Sequence, residues 1–160
     1  MTHSSTISFN LGLRVPGQSR FEGIHWIYVP DRSLPFYRVG FYSTISKGTC
    51  TVGYSSMYVE VGVPAHSLRS VDLTALQAKV IAAMEQLKWL DRRDIACTVI
   101  HVIEHAYVHH TDARERLIDP IRARLRDAGV HVFGRYGLWD YTSMEDSMES
   151  ARVAVREALQ

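Results

Sequence analysis

Residues 101 to 110 read HVIEHAYVHH, and His101-x-x-Glu104-His105 has the letter order of a zinc peptidase centre. That chemistry needs a helix, where positions i and i+4 project together and can share one ion. The neighbours argue against one. Thr98, Val99, Ile100, Val102 and Ile103 are β-branched, a run that fits a pleated strand better than a helical turn. On a strand His101 and His105 stand about 13 Å apart at roughly 3.3 Å per residue, too far to share a tetrahedral metal. No specific metal site is expected, and the two histidines read as alternating residues on one face of a strand. The second stretch with chemical content is GRYGLWDYTSMEDS. Here a predicted short strand, Val130 to Phe133, enters a glycine-flanked turn, and backbone N–H groups near Gly134 and Gly137 could approach an anionic or flavin-like ligand. A GxxG loop of the RNA-binding kind joins two helices and has basic neighbours. This one follows a strand and is trailed by Asp140, Glu145 and Asp146, which disfavours RNA.

The elements that must position these residues follow from hydrophobic period. Ile7, Phe9, Leu11 and Leu13 alternate with polar residues or glycine and predict a strand that ends near Pro16-Gly17. Further strands are expected over Ile24 to Val29, Phe36 to Tyr42 and Cys50 to Val63. From Val71 to Leu90 the period lengthens: Leu73, Leu76, Val80, Met84 and Leu87 form the apolar stripe of a helix that buries one face on the sheet. Ile95 to His109 is again strand-like. Asp119-Pro120 offers an N-cap with proline at the first helical position, and Gly129 ends that helix. Thr142-x-x-Glu145 reads as a capping box opening a last helix with Met144, Met148, Ala151 and Val155 on its apolar side. The order ββββ-α-β-α-β-α implies an α+β fold, a largely antiparallel sheet with helices packed on a face.

At 160 residues the chain is expected to form a single domain with a core of its own. Eighteen basic against 17 acidic side chains, scattered in sign, give no electrostatic footprint for nucleic acid or an anionic membrane. Cys50 and Cys97 lie in apolar, β-branched surroundings, which suggests buried thiols and a reducing, cytoplasmic setting. No signal peptide or membrane-spanning run is legible.

Taken together, SSTISFNLGL, WIYVPDRSLPFYRV, HAYVHH and GRYGLWDYTSMEDSMESARVAV resemble the C-terminal part of FAD-dependent oxidoreductases of the amine oxidase and protoporphyrinogen oxidase-like superfamily, which includes UDP-galactopyranose mutase. The resemblance implies a substrate-binding part whose end returns to the flavin. Gly134, Arg135 and Gly137 would then lie in the turn against FAD, Tyr107 and Tyr141 would face a substrate diphosphate, and Arg38 would close the same pocket. Ser143 stands where the mutases carry an acidic residue, and Trp139 suits the oxidase-like relatives better. The superfamily also opens with a strand and a GxGxxG turn that cradle the FAD pyrophosphate, a spacing the ten glycines of this chain never take. The resemblance thus implies a detached portion of a flavoenzyme, inactive and colourless alone: a fragment, one half of a split enzyme with a separate FAD-binding chain as partner, or a remnant standing as its own protein, with a small molecule as substrate. The alternative is a stand-alone, non-catalytic binding module that has lost the cofactor domain.

Overall fold

The computed structural model describes residues 2–16 and 21–159, so Gly17, the expected end of the first strand, lies outside the described residues. The chain divides into two compact units, residues 5–106 and residues 107–160 with the N-terminal four.

The larger unit is built on a five-stranded antiparallel sheet in the order β2-β3-β4-β1-β5. Its strands are β1 (His3–Leu13), β2 (Trp26–Tyr28), β3 (Arg38–Gly40), β4 (Ser55–Pro64) and β5 (Ile95–Val108). Register aligns Tyr28 with Arg38 and Arg38 with Glu60, and Trp26 with Gly40 and Gly40 with Tyr58. Alternation divides the sheet into two faces. Ile7, Phe9, Leu11 and Leu13 of β1 join Val39 of β3 and Met57, Val59, Val61 and Val63 of β4 in one buried cluster. Helix α2 (Leu73–Gln86) closes that face with Val80, Ala83 and Met84. Asp72 caps it, its carboxylate accepting from the Ala75 N–H at 3.0 Å.

Four segments of this unit are shorter than their apolar patterns suggest, β2 covering only Trp26–Tyr28 where Ile24 to Val29 is expected. β3 ends at Gly40 because Tyr42–Ile45 turns into a single helical turn, α1, and Cys50–Tyr54 forms a turn ahead of β4. α2 stops before Leu90 because Lys88 takes a left-handed φ of 57°. The Trp89 N–H then reaches the Met84 carbonyl and the Lys88 N–H the Glu85 carbonyl, which is the Schellman closure with lysine where glycine is usual. Cys97 is exposed and Cys50 only half-buried, against the expectation of two buried thiols. Cys97 lies on the outer strand, where among the described residues no further strand covers it.

The smaller unit is helical: α3 (Asp112–Asp127), α4 (Gly134–Leu138) and α5 (Met144–Ala158). α3 begins well before Asp119-Pro120, because Thr111 is the cap actually used. Its hydroxyl accepts from the Arg114 N–H at 3.2 Å, and Asp112 and Glu115 sit in the first turn where the helix dipole favours them. Pro120 is therefore interior to the helix, where it removes one backbone hydrogen bond. Gly129, at φ 76°, ends α3 as expected. Val130 to Phe133 is not a strand, since the Gly129 and Val130 N–H groups turn back to cap α3. Gly134-Arg135-Tyr136-Gly137 is the short helix α4 rather than a turn. The capping box of α5 is Ser143 with Asp146, one residue later than expected. Its predicted apolar side faces outward, with Met144 80% and Met148 66% exposed and Val155 exposed too, while Ala154 is the buried contact. Among the described residues no helix is long and apolar enough to cross a membrane.

Candidate functional site

In the smaller unit, Tyr107, Arg135 and Tyr141 come together. The Arg135 guanidinium carbon lies 5.3 Å from the Tyr107 ring centroid and 5.6 Å from that of Tyr141, and the two rings are 6.0 Å apart. A cation between two aromatic faces is held by their quadrupoles, each contact contributing about 0.5–1 kcal/mol when partly exposed. The Tyr141 hydroxyl donates to the Val108 carbonyl, so its proton is already used and its oxygen is left as an acceptor. Arg135 also donates to the Thr142 carbonyl at 3.5 Å.

Gly134 and Gly137 set the position of this arginine. Gly134 has φ 70°, and its N–H donates to the Ser150 hydroxyl at 2.9 Å, so that amide is engaged within the chain. A Cβ on Gly137 would stand 3.3 Å from Val132, so the glycine lets α4 pack tightly on the preceding segment.

Sequence reasoning missed the group that holds this corner. Arg114 is buried and donates to the Trp139 carbonyl at 3.0 Å while pairing with Glu115 at 2.7 Å and Asp140 at 3.2 Å. It thereby fixes Trp139 in a left-handed conformation, φ 50°, directly before Asp140 and Tyr141. His110 stacks 5.0 Å from Tyr141 and lies 3.3 Å from Asp140. The only sequence signal for Arg114 was Thr111 two residues past the histidine-rich strand, a cap overshadowed by Asp119-Pro120.

Arg38 belongs to the larger unit and has its own surroundings on the face of the sheet opposite α2. Its Nη2 lies 2.6 Å and its Nε 2.7 Å from Glu60 Oε2, which also accepts from the Tyr37 hydroxyl at 2.7 Å. The guanidinium carbon is 5.8–5.9 Å from the Tyr28, Tyr37 and Tyr58 ring centroids. Tyr58 can lie there because Gly40 has no side chain: a Cβ on Gly40 would fall 2.0 Å from the Tyr58 ring. Burial pushes the Tyr58 phenol above its ordinary value, and burial together with the Glu60 charge does the same for Tyr42, whose hydroxyl donates to Asn10 Oδ1 at 2.9 Å. The Arg38–Glu60 pair is neutral as a unit, so the edge of Arg38 carrying Nη1, 3.4 Å from the Tyr28 hydroxyl, is where a ligand's acceptor could be met. Glu60 is the lone acid in the apolar alternation MYVEVGV and stands directly across from Arg38 through strand register.

His101, Glu104 and His105 lie on strand β5, so the helical zinc arrangement does not form. Among the described residues no three His, Cys, Asp or Glu side chains converge as a metal site.

This sheet-and-helix arrangement is shared with two solved structures, so the resemblance drawn from the sequence is shown at the level of fold. The crystal structure of reduced UDP-galactopyranose mutase matches with a TM-score of 0.83 and 23% identity over 96% of this chain and 33% of that one. A protoporphyrinogen oxidase-like protein from Exiguobacterium sp. 255-15 matches with a TM-score of 0.73 and 16% identity over 99% of this chain and 36% of that one. The chain thus spans about a third of the length of each solved structure. No family model matches the sequence.

Proposed function

We propose that this chain is the substrate-contacting and flavin-capping portion of an FAD-dependent oxidoreductase of the amine oxidase-like class, working with a separate FAD-binding polypeptide. The observation that carries the reading is the fold match across 96% of the chain to 33% of a UDP-galactopyranose mutase. FAD, held by the partner, would supply the redox or nucleophilic chemistry. Arg135, steadied by Tyr107 and Tyr141 and placed by Gly134 and Gly137, would present a fixed cation to the flavin side of the site. Tyr107, Tyr141 and Arg38 would contact the substrate, mutase-like on a sugar nucleotide. The exposed thiol of Cys97 suits a reducing, cytoplasmic compartment.

The reading frame beside this one provides the test. A neighbouring frame encoding strand–GxGxxG–helix, whose product co-purifies with this chain as a yellow complex, supports the reading. A neighbourhood without such a frame favours the non-catalytic binding module.

A further inference from the structure

We infer that the outer edge of β5 is a self-association surface, at which a second copy of this chain adds its own β5 antiparallel about a two-fold axis at His101. This goes beyond the flavoenzyme reading and does not rest on it.

Among the described residues β5 ends the sheet order, and no further strand lies beside its outer edge from Cys97 to Glu104. It is 14 residues long, whereas the opposite edge, β2, has 3. Edge strands are normally blunted by brevity, proline, lysine or a bulge. β5 contains no proline or lysine, and it exposes Val99 at 52%, Val102 at 47% and Ile103 at 39%. Exposure is concentrated between Cys97 and His105, while Ala106 and Val108 beyond it are buried. The midpoint of the accessible stretch is His101.

Symmetry restricts the register. A two-fold axis perpendicular to a continuous sheet keeps each residue on its own face, so facing residue numbers must add to an even total. Centring on His101 sets Val99 against Ile103 of the second copy and Ile100 against Val102, with Thr98 against Glu104 and Cys97 against His105. Every aliphatic side chain then meets another, the pairing that stabilises antiparallel ladders. Moving the centre to Val102 sets Ile103 against His101 and Ile100 against Glu104. Moving it to Ile100 sets Val99 against His101 and Val102 against Thr98. Only the His101 register pairs aliphatic with aliphatic throughout. It uses the whole accessible stretch and forms roughly eight to ten backbone hydrogen bonds, about as many as a typical specific interface carries.

The test uses the full chain with Cys50 and Cys97 replaced by serine. In the inferred register two copies of residue 101 face each other with Cα atoms about 4.5–5.5 Å apart, within disulfide reach. His101→Cys should therefore give a covalent dimer on mild oxidation. Residues 104 of the two copies lie roughly 20 Å apart, so Glu104→Cys should not. By sedimentation the unaltered chain should be a dimer at tens of micromolar, and Ile103→Lys should weaken it roughly tenfold or more. A monomer at that concentration overturns the inference, including the case in which the edge is reserved for a strand of another protein. A dimer that crosslinks through Glu104→Cys, or does not crosslink through His101→Cys, overturns it equally.

Discussion

Replacing Glu60 by glutamine tests whether the Arg38 site is preorganised by a buried carboxylate. Glu60 Oε2 takes three short bonds, from Tyr37 Oη, Arg38 Nε and Arg38 Nη2, at 2.7, 2.7 and 2.6 Å. The Glu60 and Arg38 side chains are 11% and 21% exposed, so the pair is mostly withdrawn from water. Removing one partner of a buried pair costs about 3–5 kcal/mol, because the other charge is left unmatched. The residual exposure of Arg38 lowers this to about 3 kcal/mol for Glu60→Ala, and glutamine, whose carbonyl still accepts, should cost about 2 kcal/mol. Urea unfolding followed by tryptophan fluorescence reads both, with the midpoint falling and the slope unchanged. Combining Glu60→Leu with Arg38→Leu should recover most of the loss, to within about 1 kcal/mol of the parent, since an apolar pair needs no counter-charge. A Glu60→Gln cost below about 0.5 kcal/mol, or a double variant no better than the worse single one, refutes the reasoning, because the surface-pair range would then apply.

Gly40→Ala should displace the Tyr58 ring, which a Cβ would meet at 2.0 Å, and a fall in the shielding of the ring protons by NMR with a stability loss of about 1 kcal/mol checks it. The Tyr42 and Tyr58 phenols are held above their ordinary value mainly by burial. The stability they contribute is full below pH 10 and is lost as pH rises through the raised values, so absorbance at 295 nm should show late-titrating phenols that Tyr58→Phe reduces in number. Asp146 is held below the ordinary carboxylate range, first by the Ser143 N–H and then by the Ser143 hydroxyl. Its contribution is present above pH 3.8 and is lost as pH falls through the lowered value. Ser143→Ala should lower the thermal unfolding midpoint at neutral pH and shrink that acid loss without removing it, because the Ser143 N–H remains.

The sheet was legible wherever alternation and burial agreed. Ile7, Phe9, Leu11 and Leu13 alternate because one face meets α2, and Leu73, Leu76, Val80, Met84 and Leu87 repeat at helical spacing because that helix lies on the same core. What misled were local signals that tertiary contacts overrode. Asp119-Pro120 looks like a helix start, but Thr111, with Arg114 buried behind it, starts α3 earlier. Met144, Met148 and Val155 form a stripe with the correct spacing, yet spacing does not reveal whether a partner surface exists, and among the described residues Met144 and Met148 stay exposed. At the site, Tyr107, Arg135 and Tyr141 lie together in the structure, a proximity that no spacing in the sequence announces. Arg114 and Glu60 escaped because their importance comes from long-range pairing: Glu60 meets Arg38 through strand register, and Arg114 meets Asp140 through the fold of the helical unit.

The most direct test of the proposed function is the visible spectrum of this chain alone and mixed with the flavin-carrying polypeptide of a neighbouring frame. The chain alone should stay colourless after incubation with FAD, because its ten glycines never take the GxGxxG spacing that cradles the FAD pyrophosphate. The mixture should hold FAD with an absorption band perturbed from that of the flavin-carrying polypeptide, and Arg135→Ala in this chain should abolish the perturbation without unfolding it. One FAD held tightly by the chain alone, or a mixed spectrum indifferent to Arg135→Ala, would contradict it.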